Sequence, residues 1–141
     1  MQHLAIIMDG NRRWAHENAL SIVSGHDKGA QTLSEIGREV ARLKIPFLTV
    51  FAFSAENWRR SKAEVNALFG LMRRYLKQEM PNLMSENIKL RIIGAVTPFP
   101  EDLQSLFANA ETQTQHNGSM TLTIAVNYGG LQDILNAASK F

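Results

Sequence analysis

The stretch Leu4-Ala5-Ile6-Ile7-Met8-Asp9-Gly10-Asn11-Arg12-Arg13-Trp14 decides the fold. It opens as an unbroken apolar run and ends on an acid, a glycine, an amide, two arginines and a tryptophan. A short run that is apolar at every position suits a strand buried on both faces, as in a parallel sheet. Open parallel sheets bind ligands at the carboxyl ends of their strands. One stretch therefore predicts both a fold class and the place of a site.

Similar runs recur along the chain. Phe47 to Phe53 is rich in aromatic and β-branched residues and leads into Ser54-Ala55-Glu56-Asn57-Trp58-Arg59-Arg60. Ile88 to Ile93 follows, and Thr121 to Val126 leads into Asn127-Tyr128-Gly129-Gly130. Helical patterns separate them. Ala30, Leu33, Ile36, Val40 and Ala41 share one face, as do Val65, Leu68, Phe69, Met72, Tyr75 and Leu76. Ser61 and Glu64 form a capping-box pattern before the second of these helices. A third helix carries Leu103, Leu106, Phe107 and Ala110 after Pro98 and Pro100, and a fourth starts at Gly129-Gly130. Thr112 to Ser119 reads as a loop or a helix end. This alternation predicts an α/β three-layer sandwich with a mostly parallel sheet. Residues 1–141 read as a single domain without repeat or linker.

Composition narrows the function classes. With 45% hydrophobic and 20% charged residues the chain has enough apolar material for a core. It has no cysteine, which excludes disulfides, thiolate metal sites and cysteine nucleophiles and fits a cytoplasmic setting. A net charge of +2 is too small for bulk attraction to nucleic acid, so no nucleic-acid partner is expected. The most apolar stretch, Ile45 to Phe53, is nine residues long and holds Pro46 and Thr49. A membrane span needs about 20 apolar residues, so none is expected. The N-terminus reaches Asp9 too soon, and without a basic start, to read as a signal peptide.

The polar segments at the strand ends carry the chemistry. Asp9 can offer a hard oxygen to Mg²⁺, and Arg12 and Arg13 suit phosphate oxygens. A helix opening after Gly10 would add free backbone N–H groups. The alternative is that Asp9 only caps that helix and the arginines are solvated. Ser54, Glu56, Asn57 and Arg60 supply a hydroxyl, a carboxylate, an amide and a cation, or else form a polar loop. Trp58 either covers a ligand or anchors the core. His26 reads as a cap or surface residue ahead of a helix, or as a site residue. His16 and His116 read as surface residues and His3 as structural. No Walker-type loop or nucleophile elbow is present.

Five blocks in order give the chain a family resemblance. They are His3 to Ala15, Gly25-His26-Asp27-Lys28-Gly29-Ala30, Phe51 to Arg60 with Glu64-Val65, Arg91-Ile92-Ile93-Gly94, and Asn127-Tyr128-Gly129-Gly130. Together they closely resemble the cis-prenyltransferases, the undecaprenyl diphosphate synthase family. The resemblance implies repeated addition of isopentenyl diphosphate to an allylic diphosphate such as farnesyl diphosphate, with Mg²⁺ as cofactor. It implies that Asp9 is the central acid handling metal and diphosphate, and that Asn57 acts in or positions proton removal. Gly10, Asn11, Arg12, Arg13 and Trp14 would form the allylic diphosphate site, with His26 in support. Ser54, Ala55, Glu56, Trp58 and Arg60 would shape the substrate site and its closing loop. An apolar channel for the tail would draw on Ala52, Phe53 and the Val65–Leu76 face, most of which otherwise reads as core. The family resemblance also implies a homodimer for the full-length enzyme and peripheral membrane contact through the lipid product.

Three departures bear on activity. Ile22 and Leu131 stand where the family usually carries arginines. The family also continues beyond the position of Phe141 into a part that binds isopentenyl diphosphate and makes much of the dimer contact, so its C-terminal strands are expected to be missing here. Besides the enzyme reading, the chain thus reads as a non-catalytic remnant holding the allylic site, or as a subunit completed by a partner chain. On its own it is expected to be weakly active or inactive.

Overall fold

All four apolar runs form strands in a computed structural model that describes residues 1–141: β1 (His3–Ile7), β2 (Phe47–Ser54), β3 (Ile88–Ile93) and β4 (Met120–Tyr128). The helices are α1 (Asn11–Glu17), α2 (Ile22–Arg42), α3 (Lys62–Ser85), α4 (Glu101–Thr114) and α5 (Gly130–Ala138), with a 3-10 turn at Ala55–Arg59. The strands make one sheet in the order β1-β2-β4-β3, parallel at every pairing.

The register explains where the core sits. Leu4, Leu48, Leu122 and Leu90 form one cross-strand row, and Ile6, Val50, Ile124 and Ile92 the next but one. Residues in such rows share a face. This face packs against α2, α3 and α4, with Leu33, Val40, Leu68, Phe69, Leu76, Leu103 and Phe107 in the same buried cluster. The opposite rows are His3-Phe47-Thr121-Lys89 and Ala5-Thr49-Thr123-Arg91. Their threonines and cations tolerate water, and this face stays open in residues 1–141, with Ile7 and Phe47 exposed. The α/β class and parallel sheet are those the alternation predicts, and α2, α3 and α4 form one layer over one face. His3 has a structural partner on the open face, its Nε2 lying 2.8 Å from Thr49 Oγ1.

The free edge of β3 is closed by α4. Thr114 Oγ1 accepts the Leu90 N–H at 2.9 Å, and Glu111 Oε1 accepts the Ile92 N–H at 2.8 Å. These bonds satisfy edge donors that would otherwise seek another strand.

Helix starts differ from the sequence reading in one place that matters. Helix α2 begins at Ile22, capped by Ser21 Oγ accepting from Ser24 N at 3.1 Å. His26 therefore lies inside the helix, in its second turn, rather than ahead of it. Two glycines, Gly25 and Gly29, mask the periodicity of that first stretch. Helix α3 has the expected cap, Ser61 Oγ accepting from Glu64 N at 3.2 Å. The Glu64 side chain does not return to the cap and is used elsewhere.

Candidate functional site

The ends of β1 and β2 bring three segments together: the turn into α1, the first turns of α2, and the 3-10 turn leading into α3. Gly10, at φ 86°, makes the sharp turn from β1 into α1 in a left-handed conformation that favours glycine. The Asp9 carboxylate accepts the Gly10 N–H at 2.6 Å through Oδ1. Gly10 itself occupies the N-cap position of α1, and no side chain caps that helix. The capping alternative for Asp9 is therefore not the arrangement that forms. Asp9 is exposed, and its second oxygen has no protein partner.

Asn11 is seated by α2. A Cβ on Gly25 would stand 2.3 Å from the Asn11 carbonyl oxygen, and one on Gly29 would stand 2.7 Å from the Asn11 side-chain amide. Only glycine permits this approach. It sets Asn11 beside the helix turn that carries His26.

Glu64 organises the cations. Its Oε1 accepts from Arg60 Nη1 at 2.6 Å and lies 3.6 Å from His26 Nε2, while Oε2 lies 3.9 Å from Arg12 Nη1. The Glu64 side chain is only 11% exposed, so its contacts with Arg60 and His26 lie in a poorly hydrated place, while Arg12 reaches it from solvent. Burial pushes the His26 imidazole below its ordinary value, opposed by the Glu64 carboxylate and assisted by the Arg60 charge. Arg13 makes neither a hydrogen bond nor an ion pair and is exposed.

The 3-10 turn is held by a reciprocal pair. Asn57 Oδ1 accepts the Ser54 N–H at 3.0 Å, and the Ser54 side chain accepts the Asn57 N–H. The Asn57 oxygen is thus committed, which leaves its NH₂ as the group free to meet a ligand. Glu56 is exposed, and hydrogen bonds from its own backbone and from Ser54 hold its carboxyl below the usual carboxylate range. Trp58 is a core anchor. Its ring lies 5.1, 5.4 and 5.7 Å from those of Phe53, Phe99 and Phe69, and its Nε1 donates to Asn127 Oδ1 at 2.9 Å.

Two hollows meet at Asn11. An apolar cavity of about 120 Å³ lies between α2, α3 and the sheet, with Asn11, His26, Asn57 and Arg60 as its polar lining. Ala52, Leu68, Leu71, Met72 and Tyr75 are among its apolar walls. The apolar face of α3 is thus divided, because Val65 and Phe69 pack into the core instead, as does Phe53. Burial pushes the Tyr75 phenol up to about 12, so its hydroxyl stays neutral. A shallower hollow of about 370 Å³ is lined by Asp9, Gly10, Asn11, Trp14, Lys28 and Thr32 among others. Arg12, Arg13, Ser54, Ala55, Glu56 and Trp58 line neither hollow. Ile22 and Leu131 are exposed at the starts of α2 and α5. Glu64 and Lys28 carry no site role in the sequence reading, and Tyr75 enters it only as part of the Val65–Leu76 face. Only the spacing of Glu64 four residues after Arg60, and of Lys28 beside Gly29, could have marked the first two.

No group of three or more His, Asp or Glu side chains is placed to hold a metal by itself. A single carboxylate such as Asp9 still fits Mg²⁺ carried on a diphosphate, because that ion commonly takes one or two carboxylates and fills the rest with phosphate oxygens and water.

The family model for undecaprenyl diphosphate synthase matches residues 7–141. The chain belongs to this prenyltransferase family. It is 45% identical over 139 residues to an isoprenyl transferase of Geobacter sulfurreducens, covering 99% of this chain and 56% of that protein. It is 43% identical over 140 residues to an isoprenyl transferase of Rickettsia sibirica, covering 62% of that protein. Among solved structures, lavandulyl diphosphate synthase from Lavandula x intermedia, in complex with dimethylallyl diphosphate, superposes with a TM-score of 0.95 at 35% identity. A probable undecaprenyl diphosphate synthase from Campylobacter jejuni superposes with a TM-score of 0.80 at 28% identity. This member of the family spans 60% of each of those two chains. No helix in it is long and apolar enough to cross a membrane.

Proposed function

We propose that the chain carries the allylic-diphosphate half of a cis-prenyl transfer, the condensation of isopentenyl diphosphate with an allylic diphosphate. One observation carries this reading: an apolar cavity whose polar lining, Asn11, His26, Asn57 and Arg60, is gathered at the carboxyl ends of β1 and β2. A ligand with a charged head and an apolar tail is complementary to that arrangement. The dimethylallyl diphosphate held by lavandulyl diphosphate synthase supports the same ligand class.

In the proposed reaction the allylic C–O bond breaks, the diphosphate leaves, the allylic carbon joins the double bond of isopentenyl diphosphate, and a proton departs. The step is slow unless charge developing on the leaving group is met by fixed donors. Arg60 and Arg12, oriented by Glu64, are the proposed donors for that head, with Arg13 and Lys28 free to swing toward it. Mg²⁺, with Asp9 as its one protein oxygen, would neutralise part of the diphosphate charge. Asn57 is a proposed positioning group, since its amide oxygen is taken by Ser54. The cytoplasmic setting belongs to the same proposal and rests on the cysteine-free composition.

A second reading, binding without turnover, is favoured by the exposed Ile22 and Leu131 where family arginines are expected. Incorporation of radiolabelled isopentenyl diphosphate in the presence of farnesyl diphosphate and Mg²⁺ separates the two. Weak or absent product is expected from this chain alone, and abundant long-chain product would overturn that expectation. Calorimetric titration of farnesyl diphosphate with and without Mg²⁺ tests the site itself. Asp9→Ala is expected to remove the Mg²⁺-dependent part of binding while leaving the fold intact, because Asp9 is exposed and bonds only Gly10. Equal binding by both proteins would remove Asp9 from the site.

A further inference from the structure

Strand β4 changes register near its carboxyl end. Val126 pairs with Phe53 and Tyr128 with Ser54, so Asn127 is the extra residue of a bulge. Its φ is 45°, in the left-handed region that favours glycine and that asparagine tolerates. Ala19, Lys44 and Asn87 share this conformation, but each follows the end of a helix, where it is ordinary. Asn127 alone has it within a strand. In an unbroken strand its side chain would lie on the face opposite that of Val126. Instead it spans the two neighbours of β4. Its Oδ1 accepts from Trp58 Nε1 at 2.9 Å, in the 3-10 turn after β2, and its Nδ2 donates to the Ala95 carbonyl at 2.9 Å, just beyond β3. The backbone repeats the second link, with the Ala95 N–H donating to the Asn127 carbonyl at 3.4 Å. Gly94 permits this approach, since a Cβ there would stand 1.8 Å from the Val126 carbonyl oxygen.

The bond to Trp58 acts on the residues beside it in the chain. Asn57 and Arg60 belong to the polar lining of the cavity, and the Arg60 N–H donates to the Asn57 carbonyl at 3.1 Å. The turn that carries both has Trp58 between them. Contacts of the Trp58 ring with Phe53, Phe69 and Phe99 bury it but are weakly directional. The hydrogen bond to Asn127 is directional, and it is the one polar bond of the Trp58 side chain. Left-handed backbone at a residue other than glycine costs free energy and collects at functional sites, and bulges there re-aim side chains.

We infer that Asn127 is a positioning residue of the site: through Trp58 it fixes where the 3-10 turn holds Asn57 and Arg60. Its service to the site rests on the reading that these two groups face the diphosphate head.

Two variants cut the bond from opposite ends. Asn127→Gly keeps the left-handed backbone and removes the amide. Trp58→Phe keeps a ring in the aromatic cluster and removes the donor. Nitrogen–proton NMR spectra of the ligand-free protein read Asn57 Nδ2 and Arg60 Nε. Titration calorimetry in Mg²⁺ buffer, with farnesyl diphosphate and with inorganic pyrophosphate, reads the head site. Both variants are expected to shift the Asn57 and Arg60 signals and to bind both compounds roughly five- to tenfold more weakly, as for one lost hydrogen bond. The double variant is expected to bind no more weakly than either single one, because the two residues act as a pair. Either variant carries the test where the other does not fold. A merely structural Asn127 would lower the urea midpoint and leave the two signals in place, and that result would overturn the inference whatever the affinities. Additive losses in the double variant, or moved signals with unchanged affinity, would overturn it too and leave the head-site reading standing. Moved signals in the variants, with neither compound bound by the wild type, would overturn the head-site reading and leave Asn127 as the residue that positions the turn.

Discussion

Arg60 Nη1 donates to Glu64 Oε1 at 2.6 Å, joining the residue that ends the 3-10 turn to the first turn of α3. The pair is the fixed point of the site. The same carboxylate faces His26 on α2 and Arg12 on α1, so one acid ties four segments together.

Replacing Glu64 by glutamine leaves two arginines and an imidazole without their shared anion. A cost of about 1–3 kcal/mol is expected, the range for losing charged hydrogen bonds in a place with little water. Asp27→Asn removes a comparably short pair, Asp27 with Arg74 at 2.7 Å, but both side chains are well exposed. That change is expected to cost less than about 1 kcal/mol. Urea denaturation of both variants checks the contrast, and equal losses would demote Glu64 to an ordinary surface acid.

His26 makes stability depend on pH. Its folded-state value is lowered from 6.5, chiefly by burial. As pH falls through 6.5, the unfolded chain takes up the proton before the folded chain does. Stability therefore declines on acidification until the folded-state value is passed, after which this contribution no longer changes. Thermal melts of wild type and His26→Gln between about pH 5 and 8 read this directly. The glutamine variant is expected to lack the His26 share of the decline, and parallel profiles would show that the imidazole titrates as in the unfolded chain.

The glycines of α2 are expected to divide sharply. Gly25→Ala drives a methyl to 2.3 Å from the Asn11 carbonyl oxygen and 2.9 Å from Ala15 Cβ. A loss of about 1–3 kcal/mol is expected, together with displacement of Asn11 from the polar lining. Gly37→Ala meets nothing within 4 Å and replaces a flexible residue inside a helix. It is expected to gain about 0.5–1 kcal/mol. Denaturant midpoints of the two variants decide the matter, and a neutral Gly25→Ala would mean that α1 moves away at no cost.

Much of the molecule was legible in the chain. Unbroken apolar runs such as Leu4 to Met8 read directly as parallel strands, because that pattern suits burial on both faces, although in residues 1–141 one face of β1 is exposed. The ordered blocks from His3 to Gly130 carried the family and the polar strand ends at Asp9 and Ser54. The Trp58 alternatives could not be separated, since a tryptophan in a polar run looks the same whether it covers a ligand or packs. Its contacts with Phe53, Phe69 and Phe99 come from three different segments.

What the sequence by itself determined are properties set by neighbours along the chain: strand runs, helix faces, caps and motif blocks. What only the tertiary structure decided are properties that need atoms from distant segments at one point. Glu64 read locally as half of a capping box, yet its carboxylate meets cations from α1, α2 and the 3-10 turn. Gly25 and Gly29 read only as part of the second block of the family resemblance, yet they are the seat of Asn11. The α3 stripe read as one apolar face, yet packing buried Val65 and Phe69 and left Met72 and Tyr75 on a cavity. Periodicity reports which way a side chain points, whereas the choice between core and cavity depends on whether the facing helix and sheet fill the space it points into.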